Sequence, residues 1–238
     1  MKSLKMMIGV LCAALMLSGC NLTNSAKGGM IGGAAGGAVG AGLGAGLGAI
    51  FGNAGLGAAI GAGVGVAAGG TAGALIGKKM DKAAAAAKAV ANAQVETTTD
   101  KQGLEAVKVT FDSGILFAQG KSTLQSAAMS SLRQFATNVL NVYTDCDVAI
   151  YGFASSEGSA STNLSLSKNR AQAVTNYLLN NCGVSNAQIK STTGYGADAN
   201  YLIYDANGKE NKAASRRVEV YLYASEAMIN AANNGTLQ

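Results

Sequence analysis

Between Lys27 and Lys78 no side chain is ionisable, and small and bulky positions repeat every four residues. Glycine recurs at 28, 32, 36, 40, 44, 48 and 52, then after Asn53 at 57, 61, 65, 69, 73 and 77. The neighbouring column is also small (Gly29, Gly33, Gly37, Ala41, Ala45, Ala49). The bulk falls in a third column: Ile31, Val39, Leu43, Leu47 and Phe51, then Ile60, Val64 and Ile76. A four-residue period is close to one helical turn, so each arm is expected to be a helix with one bare and one apolar face. Glycine costs about 1 kcal/mol per helical position relative to alanine. Such a run makes sense where two backbones approach closely, as in small-xxx-small packing. Arms 28–52 and 57–77 would be roughly 37 and 31 Å long, enough for a hydrocarbon core of about 30 Å. Residues 28–77 are therefore read as a glycine-zipper helical hairpin turning at Asn53–Leu56, with a flexible Gly/Ala linker as the competing reading.

The beginning of the chain has a different pattern. Lys2 and Lys5 precede an apolar run, Met6 to Leu17, that ends in Leu17-Ser18-Gly19-Cys20. A basic start, a short apolar run and small residues before a cut mark residues 1–19 as a signal peptide, too short to span a bilayer. Leu-Ser-Gly-Cys resembles the bacterial lipobox. The resemblance implies cleavage before Cys20, lipidation of its thiol and acylation of the new amino terminus, with 20–27 as the lipidated tether. Two or more acyl chains anchor firmly where one is marginal. Asn21 stands where an inner-membrane retention aspartate is often found in enteric lipoproteins, so the outer membrane is favoured. Of the four cysteines, Cys12 leaves with the signal and Cys20 carries lipid. Cys146 and Cys182 remain, expected to form a disulfide in an oxidising compartment, the alternative being two buried thiols.

After Lys78 charge returns, and the alanine-rich run Ala83–Ala93 predicts a helix. Residues 78–103 are read as a helical linker, with Glu96–Gly103 as the loop before a domain at 104–225 and a tail at 226–238. In that domain Val107, Val109 and Phe111 alternate with Lys108 and Thr110, a strand pattern. Asp112-Ser113-Gly114 suggests a turn, followed by extended chain at Ile115–Phe117. Ser122 is positioned to cap a helix carrying Leu124, Ala128, Leu132, Phe135 and Val139. Val148 and Ile150 mark a second strand; Leu164, Ala171, Val174 and Leu178 mark a second helix, stopped at Cys182-Gly183. A short strand near Ile189 follows. In the last strand Val218, Val220 and Leu222 are expected inward, and Arg217, Glu219, Tyr221 and Tyr223 outward. This order predicts a two-layer α+β domain of βαβαβ type, its sheet covered by helices on one face. The second helix then returns Cys182 towards Cys146 at the start of the second strand.

Three spaced motifs in this domain resemble those of the OmpA-like peptidoglycan-binding family. They are Asn163-x-x-Leu166-Ser167-x-x-Arg170-Ala171-x-x-Val174, Gly194-Tyr195-Gly196 and Arg216-Arg217-Val218-Glu219. The resemblance covers about residues 105–224. It implies non-covalent binding of peptidoglycan stem peptides, chiefly at diaminopimelate, with no bond made or broken. By position Arg170 would grip a carboxylate through its planar fork, a task suited to guanidinium. Asn163 and Ser167 would share its helical side, and Arg217 would brace the pocket. The family's Gly-His-Thr-Asp is Gly152-Phe153-Ala154-Ser155 here, and its Phe-Asp is Phe117-Ala118. Ser155 thus replaces an acid, and Glu157 in the same loop is the candidate replacement charge.

Composition trims the remaining options. The 238 residues contain no histidine, which excludes imidazole-based catalysis and histidine metal ligands. A net charge of +5 without a basic run gives no case for nucleic acid. Asp112, Asp145, Asp147 and Glu157 form no motif for acid–base work, so an enzyme is not expected, nor is any cofactor or metal. The expected function is an outer-membrane lipoprotein, its domain in the periplasm, that tethers the envelope to the cell wall. The alternative is a membrane-embedded homo-oligomer or channel assembled through the glycine zipper, with the domain as anchor.

Overall fold

Apolar residues on the three inner strands build most of the sheet, and a largely polar strand closes each edge. The structure, a computed structural model, describes residues 70–100 and 103–237. The expected signal segment, Cys20, the tether and the glycine-periodic stretch up to 69 lie outside the described residues. The strands are β1 Ala93–Thr99, β2 Glu105–Asp112, β3 Cys146–Gly152, β4 Ile189–Gly194 and β5 Arg217–Ala224. Their order across the sheet is β1-β2-β5-β3-β4, with only β3 and β4 parallel. The register sets Val109 beside Val220 and Val220 beside Ile150, so one apolar row crosses three strands.

That row faces the helices. These are α1 Thr71–Lys88, α2 Ser113–Leu116, α3 Ser126–Phe135, α4 Ala160–Cys182, α5 Lys212–Ser215 and α6 Glu226–Asn233. A π-helical turn, Ala136–Leu140, prolongs α3. Leu132 and Phe135 of α3, Val174 and Leu178 of α4, Ile76 and Met80 of α1, and Met228 of α6 share one core with the sheet. The helix α4 connects parallel β3 and β4, the crossover such a pair requires. This is the expected α+β architecture with helices on one face, enlarged at its start and end.

The start is the main departure. Helix α1 begins inside the second glycine-periodic arm and packs on β1, β2 and α6. Gly73 and Gly77 are buried, and Ile76 and Met80 have no exposed surface. Two interior glycines cost about 2 kcal/mol together. Burying Ile76 and Met80 gains about 1.5–3 kcal/mol each, so tertiary packing outweighs the poor helix formers. The last turns of that arm pack against the domain. Residues 93–99, expected as linker, pair along β2 from Ala93 with Phe111 to Thr99 with Glu105. Being an edge strand and mostly exposed, β1 lacks the alternation that marks a strand in sequence. The expected tail likewise forms α6, with Met228, Ile229 and Ala232 buried.

Three local expectations are corrected. Residues Ser113–Leu116 form α2, because the Asp112 carboxylate accepts the Gly114 N–H and caps a helical turn. Ser122 caps nothing; α3 starts after Gln125, whose side chain instead donates to the Gly114 and Ile115 carbonyls. The side chains expected outward on β5 are largely buried: Arg217, Glu219 and Tyr221 lie under a second aromatic cluster with Tyr151, Phe153, Tyr195 and Tyr201. The β4–β5 connection folds over that end of the sheet.

The expected disulfide is not formed either: Cys146 and Cys182 are both free thiols. Cys146 is buried near Lys79 of α1, Asp145 and Asp147, and burial above all pushes its thiol up to about 12. Cys182 ends α4 near Arg133 of α3, and its carbonyl accepts from Asn141. The two ends return to the same edge of the domain, but the thiols sit in different side-chain environments.

Candidate functional site

Helix α4 rises from the loop 153–159 and opens on Ser159, whose hydroxyl accepts the Thr162 N–H at 3.2 Å. Its inward face carries Asn163, Ser167 and Arg170, spaced as neighbours on one side of a helix. They perform different tasks. Asn163 donates from Nδ2 to the carbonyls of Ser155 at 3.0 Å and Glu157 at 2.8 Å, tying the loop to the helix. Ser167, with no exposed surface, accepts the Gly196 N–H at 2.8 Å and donates to the Leu164 carbonyl at 2.9 Å. Both are positioning residues.

The helix lies so close to the sheet that two glycines are obligatory. A Cβ on Gly152 would stand 2.2 Å from the Ser167 carbonyl oxygen, and one on Gly194 2.2 Å from the Lys168 nitrogen. The Gly194-Tyr195-Gly196 motif therefore sets the depth at which α4, and with it Arg170, is seated.

Arg170 is 3% exposed. Its Nε donates to the Lys121 carbonyl at 3.0 Å, and its Cζ lies 5.2 Å from the Phe117 ring centroid. No carboxylate among the described residues forms an ion pair with it. Its two terminal nitrogens have no hydrogen-bond partner there, and they are not among the fully enclosed polar atoms. Burial, and secondarily the charge of Arg216, lowers its pKa from the ordinary value. A guanidinium held by one nitrogen and a ring, with its fork unspent, is arranged to receive an anion.

Glu157 does not reach Arg170. Its carboxylate is paired with Lys212 at 2.9 Å and Arg216 at 3.1 Å. The hydrogen bond and charge of Lys212, with Arg216 adding to them, pull its pKa below the usual carboxylate value. The buried Ser155 hydroxyl accepts from Arg216 Nη1 at 3.4 Å. Arg217 points away from this group. It pairs with Glu219 at 2.6 Å, donates to the Tyr201 and Ser215 carbonyls, and lies 4.1 Å from the Phe153 ring centroid. The structure thus brings Arg170, Ser155 and Glu157 to one end of the domain, uses Asn163 and Ser167 as supports, and sets Arg217 under the other face of the sheet.

The residue that sequence reasoning missed is Arg216. Alternation along an extended segment was the available signal: consecutive arginines point to opposite sides, so only one can join Arg170. A shallow groove of about 310 Å³ also runs along α4 between Ser122–Leu124 and Ala173–Asn181, but Arg170 does not line it. Among the described residues no group of acids and cysteines has the arrangement of a metal site, and no helix is long and apolar enough to cross a membrane.

Comparison with known proteins gives a family match for part of the chain. Residues 116–216 match the model of the OmpA family. Similar solved structures include the periplasmic domain of Helicobacter pylori MotB, at 17% identity over 63% of this chain and 93% of that one, TM-score 0.48. Others are the cell wall anchor of the T6SS from Pseudomonas aeruginosa (20%, 61% and 97%, 0.47) and the peptidoglycan-associated lipoprotein from Burkholderia pseudomallei (23%, 46% and 88%, 0.38). No curated protein matches the chain. The matched stretch runs from the end of α2 to the residue before β5 and contains Phe117, Lys121, Ser155, Glu157, Arg170 and Arg216. The part of the chain that is similar to the OmpA family, residues 116–216, holds the whole of this arginine site.

Proposed function

We propose that this chain is an outer-membrane lipoprotein, anchored through lipid on Cys20, whose periplasmic domain binds peptidoglycan non-covalently and tethers the envelope to the wall. One observation carries the reading: Arg170 is buried with its terminal nitrogens unpaired. A cation with reduced access to water and no counter-ion is under-compensated, and a ligand carboxylate supplies the missing partner. Two parallel hydrogen bonds from the guanidinium fork would then fix the direction of the ligand's carboxylate. Arg216 adds positive potential at the same end, while Asn163 and Ser167 hold the loop and helix in place. The OmpA-like domain supports peptidoglycan as the source of that carboxylate. Nothing is cleaved or joined in this function, so modest affinity suffices, multiplied over many copies along one polymer. The alternative, an oligomer assembled through the glycine-periodic stretch, draws its support from the sequence before residue 70.

The test is co-sedimentation of the full chain with purified sacculi. The parent protein should pellet, and Arg170→Gln should need at least ten times more sacculi for equal pelleting. Equal behaviour of the two proteins would remove Arg170 from the site, and a parent that stays in the supernatant would end the reading.

A further inference from the structure

The acids around Arg170 are already engaged, and this bears on what the site accepts. Glu157 is shared between Lys212 and Arg216. Glu210 accepts the Ser156 N–H at 3.0 Å through one oxygen and the Ser156 hydroxyl through the other. Neither acid is left to balance Arg170, since Glu157 is taken by Lys212 and Arg216 and Glu210 by Ser156. The loop position beside Arg216 is Ser155, whose hydroxyl brings no charge. An incoming carboxylate finds the open fork of Arg170. An ammonium carried on the next carbon finds two guanidinium groups and no unengaged acid. An amide nitrogen there brings no charge, and its N–H can donate to the Ser155 hydroxyl oxygen.

Resting on the wall-binding reading, we propose that the Arg170 site selects a carboxylate whose neighbouring nitrogen is acylated and disfavours the zwitterionic end of a free amino acid. Two sources within the wall share this chemistry: a peptide chain end, and a diaminopimelate residue whose side-chain amine has been acylated by cross-linking. Arg170 contacts the carboxylate. Ser155 and Arg216 determine specificity, Arg216 through its charge and its hold on both Ser155 and Glu157.

The experiment is calorimetric titration of the full chain in detergent with synthetic stem tripeptides ending in meso-diaminopimelate whose main-chain carboxylate is amidated, so that the side-chain carboxylate is the one left free. Three forms are compared: side-chain amine free, the same amine acetylated, and the amine acetylated with the adjacent carboxylate amidated. A tripeptide extended by D-alanine, with the diaminopimelate side-chain carboxylate amidated, then separates the chain-end source from the cross-link source. The acetylated form should bind at least threefold tighter than the free amine, and amidation of its carboxylate should cost at least tenfold. Ser155→Asp should reverse the preference, since it places an acid beside the amine position. Equal binding of the free and acetylated forms, or tighter binding of the free amine, overturns the proposal on the unmodified protein alone. Failure of every peptide while the chain still pellets with sacculi also overturns it and leaves wall binding standing. Failure of both peptides and sacculi removes both.

Discussion

Replacing Arg170 with methionine should leave the fold almost as stable and remove wall binding, a combination that separates a ligand-gripping residue from a structural brace. The guanidinium gains one charge-assisted hydrogen bond to the Lys121 carbonyl, about 1.5–3 kcal/mol. Its contact with Phe117 adds about 1–2 kcal/mol. Against these stands the cost of burying a cation without a counter-ion, several kcal/mol for a dry site and less here because its terminal nitrogens are not fully enclosed. The terms nearly cancel. Methionine fills the same channel and recovers part of the ring contact, about 0.3–1.5 kcal/mol. The net change in stability is therefore expected within about 1 kcal/mol. Loss of a residue from a buried ion pair would instead cost about 3–5 kcal/mol. Urea unfolding of the full chain separates these cases, read by tyrosine fluorescence from the cluster around Tyr151, Tyr195 and Tyr221. With a slope of about 2 kcal/mol/M, a change of 1 kcal/mol moves the midpoint by about 0.5 M and one of 4 kcal/mol by about 2 M. A midpoint lower by about 2 M, or sacculus pelleting unchanged in Arg170→Met, would refute the reasoning.

Two further outcomes test how the site is seated and how α1 meets the sheet. Gly194→Ala should cost about 2–3 kcal/mol and weaken pelleting with sacculi, because the new methyl group meets backbone of α4 that cannot rotate away. A urea midpoint equal to the parent's would mean that α4 is seated less tightly than the distances indicate. Glu105, at the start of β2, is pushed up to about 7 by burial first and then by Asp81 of α1. A carboxyl raised above its unfolded value contributes stability that is fully present below about 4.5 and lost as pH rises through about 7. The urea midpoint should therefore fall between those pH values, and Glu105→Gln should flatten that part of the curve. An identical pH profile in the variant would rule Glu105 out as its cause.

Much of the domain was legible in the residues themselves. Alternation at Val107, Val109 and Phe111, and at Val218, Val220 and Leu222, marks central strands because one face must meet the helices. The three- and four-residue spacing of Ala171, Val174 and Leu178 marks the crossover helix, and Gly183 stops it in the left-handed conformation. The placement of Arg170 on the inner side of that helix follows from the same spacing. The edge strand β1 was hidden because its polar side chains leave no alternation, and its existence depends on the backbone that β2 offers it. The second cluster was hidden for a related reason: alternation says that Arg217, Glu219 and Tyr221 share a side, but not that the β4–β5 connection returns to cover them.

Covalent order thus determined the periodicities, the domain type and the helical position of Arg170, since each is a property of neighbours along the chain. Only the tertiary structure decided how the charges pair. It gave Glu157 to Arg216 and Lys212 and left the fork of Arg170 open, because those groups come from segments more than forty residues apart. Electrostatic partnership depends on distance through space, and no spacing in the sequence encodes that distance until the sheet and α4 have packed.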